Sequence, residues 1–123
     1  MKKMLAAVLA LSVLTPVLAQ DRQFLPKPEV EALATDKKWI HIRVMDQDKV
    51  VWDIRSGGAF YGNNLSKNNS DSGTWLVNDQ GQLCVKWRGR SQDRCVAILA
   101  AGENFKMVDA NDLQGTYAEL TVE

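Results

Sequence analysis

The chain has 123 residues, with 15 Lys and Arg set against 15 Asp and Glu and one histidine. A balance of that kind, with no run of five like charges, excludes nucleic-acid binding through phosphates, which needs a basic stripe. The length suits one domain and is too short for two.

Lys2 and Lys3 open the chain, and Met4 to Leu18 are almost wholly apolar, with Ser12 and Thr15 as the polar exceptions. Pro16, Val17, Leu18 and Ala19 then lead into the polar Gln20-Asp21-Arg22. Charge, apolar stretch and small residue in that order predict a signal peptide over 1–19, cleaved after Ala19. The stretch is shorter than the roughly 20 residues of a membrane span, and Pro16 interrupts it, so no stable membrane insertion is expected after cleavage. No cysteine stands near the cleavage point, which excludes a lipoprotein. Loss of the two lysines takes Lys and Arg from 15 to 13 against 15 Asp and Glu, a mature net charge of about −2.

Residues 20–27 read as an extended lead-in to a single domain over 28–123. Pro28, then Glu29 to Ala34, predicts one short helix ending near Thr35 to Lys38, with Val30, Leu33 and Ala34 as its buried stripe. From Trp39 the period becomes two. Ile40, Ile42 and Val44 alternate with Trp39, His41 and Arg43; Asp46-Gln47-Asp48 turns; Val50, Trp52 and Ile54 alternate with Val51, Asp53 and Arg55. After Ser56-Gly57-Gly58 a third strand covers Ala59 to Gly62, and Asn63 to Gly73 reads as an exposed polar loop. Further strands are expected at Thr74 to Val77, Gln82 to Trp87, Arg94 to Leu99, Phe105 to Val108 and Thr116 to Val122. Gly81, at the entry to one of them, is expected to take a positive φ. The fold class is therefore mainly β: an antiparallel meander of about eight strands, as a curved sheet or small barrel, with one short N-terminal helix.

Cys84 and Cys95 are the two cysteines, with ten residues between them, on consecutive strands. An even count in an exported chain reads as a disulfide, worth roughly 3 kcal/mol for so short a loop. A redox pair would instead sit in a C-x-x-C turn.

Gly73-Thr74-Trp75, Gly81-Gln82-Leu83-Cys84, Trp87 and Cys95 compose a Gly-Thr-Trp … Gly-x-Leu-Cys-x-x-Trp … Cys pattern. Over roughly residues 28–109 it resembles the exported bacterial domain of unknown function 995 family. A helix with Glu31-Ala32-Leu33 before the first strand also fits, although Asp36-Lys37-Lys38 stands where that family usually has a glycine. The resemblance implies a periplasmic or secreted β domain with a hairpin disulfide, and no activity.

The residues themselves point to no catalytic group, cofactor or metal. His41 stands opposite Ile40 and Ile42 and is expected to face solvent; without a second histidine or a free cysteine it lacks the ligands a metal needs. Asp46 and Asp48 lack an EF-hand loop around them, and most carboxylates fall in turns, where Asp bonds its own backbone. No Gly-x-Ser-x-Gly, phosphate loop or dinucleotide fingerprint is present. Two segments suit binding. One is the loop Asn63 to Ser72, with Asn63, Asn64, Lys67 and Asn68. The other is the hairpin tip Lys86 to Arg94, where Lys86, Arg88, Arg90 and Arg94 surround Trp87 and could grip a carboxylate or phosphate. The function expected is a non-enzymatic periplasmic or secreted accessory protein whose partner is an envelope protein or a cell-wall polymer. A carrier of a small apolar ligand inside the barrel and a minor hydrolase are the alternatives.

Overall fold

The computed structural model describes residues 22–89 and 91–123. The signal peptide expected over 1–19, and Arg90, lie outside the described residues. Helix α1 (Lys27–Ala34) precedes eight strands: β1 (Lys37–Arg43), β2 (Lys49–Ile54), β3 (Ala59–Asn64), β4 (Asn69–Val77), β5 (Leu83–Trp87), β6 (Arg94–Ala101), β7 (Asn104–Asp109) and β8 (Ala118–Val122). Each pairs antiparallel with the next, and β8 pairs back onto β1, so the meander closes into a barrel. At the seam the backbones of Lys38 and Glu123 exchange both hydrogen bonds, at 2.9 and 2.8 Å. Closure leaves no strand edge free for another chain.

The helix starts at Pro26 with Pro28 in its first turn, where a missing N–H costs nothing. Val30 and Ala34 are fully buried and Leu33 packs beside them, the stripe read from the sequence. The Trp39 indole donates to the Leu33 carbonyl at 3.0 Å and ties α1 across one end of the barrel. Asp36 takes the left-handed position after the helix, φ +59°, and its carboxylate accepts the Ser56 N–H at 2.9 Å. An aspartate held by a hydrogen bond from the following β2–β3 connection thus does what a glycine would do there. Gly81 also has the expected positive φ, +79°, and a side chain there would meet the Leu25 carbonyl.

Directly paired residues of antiparallel strands share a face, and this decides the interior. Trp39 pairs with Trp52 and Val122, and His41 with Val50 and Leu120. His41 is therefore inside the barrel and fully buried, not solvent-facing as the alternation with Ile40 and Ile42 suggests. The two isoleucines are half-buried on the outer wall. Phe60, Leu83, Ile98, Met107 and Leu120 fill the middle around Trp39 and Trp52.

The second correction concerns Asn63 to Gly73. The polar loop shrinks to the turn Leu65–Asn68, because β3 runs to Asn64 and β4 begins at Asn69. Gly62 pairs with Asp71, Asn63 with Ser70 and Asn64 with Asn69. Neighbouring strands on both sides supply the ladder, and that context overrides the weak β-propensity of Asn, Ser, Gly and Asp.

Cys84 and Cys95 are direct cross-strand partners on the outer wall and form the disulfide. Such a bond is compatible with an oxidising, extracellular compartment.

Candidate binding site at the barrel mouth

Strand directions sort the connections into two ends. The turns after β2, β4 and β6 lie at the helix end. The β1–β2 turn, the β3–β4 turn, the β5–β6 tip and the β7–β8 connection all lie at the other. This second end is an open mouth over a cavity of about 290 Å³, lined by His41, Trp52, Asn69, Trp87, Gln92 and Tyr117 among others. Space for Trp87 is made by Gly62 on the neighbouring wall. A Cβ at position 62 would fall 2.3 Å from the tip of the Trp87 ring. Trp87 then meets Phe60 and Trp52 edge-on, with centroids 4.9 and 6.3 Å apart.

The mouth is charged, but its charges are answered locally. Asp48 accepts from the Arg43 guanidinium at 2.9 Å, from the Asn64 amide at 3.0 Å and from the Lys67 ammonium. The Lys67 and Asn64 hydrogen bonds hold its carboxyl below the usual range against a smaller desolvation effect. Asp46 accepts from Arg43 at 2.8 Å and lies lower still, at about 2, chiefly because of that bond. The β1–β2 and β3–β4 turns are thereby pinned to each other.

Asp71 performs the same service for the β5–β6 tip, accepting the backbone N–H groups of Ser72, Gly89 and Ser91. Burial alone would raise its pKa, and the combined hydrogen bonds overcome this and lower it. Arg94 is ion-paired with Asp109 and lies over the Tyr117 ring, 4.4 Å from its centre.

His41 is the exception in this network. Neither ring nitrogen has a hydrogen-bond partner, although the side chain is fully buried. Desolvation drives its pKa down to about 4; the Trp39 backbone opposes this and the Arg43 charge adds to it. The ring stands edge-on to Trp52 at 4.8 Å and 6.4 Å from Tyr117. It is a neutral imidazole at physiological pH, with one donor and one acceptor unused.

The two binding segments read from the sequence meet at this mouth, though not residue for residue. Asn64 and Lys67 belong to the Asp48 network, Asn68 holds the left-handed turn position at φ +58°, and Asn63 is exposed at the rim. Arg94 turns inward and is half-buried, Arg88 is exposed at the tip, and Lys86 pairs with Thr74 on the outer wall. These basic residues therefore do not form one exposed cluster.

His41, Arg43, Asp48 and Asp71 were missed as neighbours. Their signal was parity. Each is a polar residue in step with core positions of its strand or, for Asp48, of the strand that follows it: Trp39 for the first two, Val50 and Trp52 for Asp48, Val77 for Asp71.

Exposed apolar side chains stand on the connections at the same end of the barrel. Among the described residues, six large hydrophobic side chains are exposed, and four of them stand on mouth connections: Val44, Met45, Leu65 and Leu113, with Met45 at 82 %. Tyr61 and Leu76 are on the outer wall. No group of three or more His, Cys, Asp or Glu able to hold a metal ion occurs among the described residues. In comparisons with known proteins, no family model, no curated protein and no solved structure matches this chain.

Proposed function

We propose that this chain is an exported, non-enzymatic binding protein of the bacterial envelope that engages its partner through the open mouth of the barrel. The observation that carries this reading is the concentration of exposed apolar side chains on the mouth connections, around a polar pocket whose own charges are already paired. Partner-binding faces combine such anchors with a satisfied polar surround, and a monomer gains nothing by exposing them together. The ion-paired turns hold the anchors in place, which lowers the entropy lost on binding. Export rests on the N-terminal charge and apolar pattern and agrees with the disulfide. The resemblance to the domain of unknown function 995 family belongs to the same proposal. The partner is an envelope protein or a cell-wall polymer.

The test is cross-linking of the mature protein in its native envelope, followed by co-purification and mass determination. Wild type, Met45→Asp with Leu113→Asp, and the wall variant Leu76→Asp are compared. The expected result is a protein beginning at Gln20 whose cross-linked partner survives Leu76→Asp and is lost from the rim variant. Equal capture by all three would sink the mouth as the binding face.

A further inference from the structure

Among the described polar side chains at the mouth, His41 alone is both fully buried and without a partner. A buried polar group left unsatisfied costs free energy, so an unpartnered one beneath a pocket calls for a ligand or a water. The pocket above it, about 290 Å³, is at the small end of the roughly 300–1,000 Å³ typical of small-molecule sites, with room for about one ring. Among the described residues, its charges do not ask for an ionic ligand. Arg43 is answered by Asp46 and Asp48, Arg94 by Asp109, and Asp71 by three backbone N–H groups. A charged ligand would have to break one of these arrangements.

Neutral donors and acceptors remain. The Asn69 and Gln92 side chains line the opening and make no hydrogen bond among the described residues. An amide offers both kinds of group, as does a neutral imidazole. The apolar part of the lining is aromatic, but its rings are crossed: Trp52 and Trp87 meet at 69°, and His41 and Trp52 at 76°. Crossed rings leave no parallel slot for a flat heterocyclic base. They do suit the C–H faces of a puckered, saturated ring.

We infer that the mouth pocket binds one uncharged sugar ring, its hydroxyls held by Asn69, Gln92 and His41 and its C–H face set against Trp87 and Trp52. This rests on the mouth being the binding face and narrows the partner to a glycan chain bearing such a unit. His41 is fully buried, so a hydroxyl reaches its ring nitrogens only when the half-buried Tyr117, its ring centre 6.4 Å away, turns aside. A hydrogen bond made there, away from water, is stronger than the same bond at the surface.

The experiment is an NMR titration of the mature, disulfide-bonded protein with glucose and N-acetylglucosamine, with glucuronate, glucosamine and adenine as comparators. Expected are saturable shifts of the Trp52 and Trp87 indole signals and of the His41 ring nitrogens with at least one neutral sugar. Affinity should fall about tenfold, or about 1.4 kcal/mol, in the exposed double variant Asn69→Ala with Gln92→Ala, which leaves the core untouched. No shift with either neutral sugar, binding unchanged in the double variant, or tighter binding of a charged sugar or of adenine would overturn the inference. If the sugars fail while Met45→Asp with Leu113→Asp still loses the cross-linked partner, the sugar site falls and the binding face stands. If a sugar binds while that variant keeps its partner, the apolar rim falls and the pocket stands.

Discussion

Gly62 and His41 show how much one inward position can matter in a barrel this narrow. Gly62 permits the Trp87 ring to lie across β3, with its tip where a Cβ would be. Gly62→Ala should therefore push Trp87 outward into the pocket. Overpacking of this kind costs about 1–3 kcal/mol, read as a lower urea midpoint with an unchanged slope, and the Trp87 environment should shift in fluorescence.

His41 has its pKa lowered from 6.5 to about 4 by burial, so the unfolded chain takes up its proton first. Stability is then unaffected above about pH 6.5 and falls as pH drops from there toward about 4, by roughly 3 kcal/mol in all. Asp46, Asp48 and Asp71 have lowered pKa values, and their contributions are lost below about pH 5, so above that value the His41 effect stands apart from theirs. Urea midpoints measured between about pH 5 and 7 should slope for the wild type and be flat for His41→Phe. An equal slope in both would assign the effect elsewhere.

At the scale of elements, side chains add to the backbone hydrogen bonds that hold the mouth turns, such as Leu65 N–H to the Lys49 carbonyl. Asp48 joins Arg43 of β1, Asn64 of β3 and Lys67 of the β3–β4 turn. Asp48→Ala would strand all three at once, whereas Asp46→Ala leaves Asp48 to hold Arg43 and Lys67. The expected outcome is faster amide hydrogen exchange in both turns for Asp48→Ala, with a smaller change confined to the β1–β2 turn for Asp46→Ala. The helix, several strands and the hairpin carrying the disulfide were legible because each is governed by local period and turn chemistry. Asn63 to Gly73 was not, since its strands exist only because β2 and β5 lie alongside to complete their ladders.

For the molecule as a whole, the β1–β8 seam is the decisive contact, joining residues near opposite ends of the domain. Deleting 118–123 would remove Ala118 and Leu120 from the core and expose two strand edges together. That variant should yield no folded monomer by size-exclusion chromatography and should lose the upfield methyl signals of a packed core.

Closure also explains the division of the two ends. The buried face of the helix covers one, and the other is left to whatever polar and apolar side chains the turns bring there. Alternation and turn residues in the sequence determined that this is a β meander with one leading helix, because those signals act within a few residues. Which face of each strand became the interior, and hence the burial of His41 and the gathering of four separate turns around one pocket, was decided by tertiary structure alone. Parity is symmetric within a single strand, and only the register with its neighbours, closed around the full barrel, breaks that symmetry.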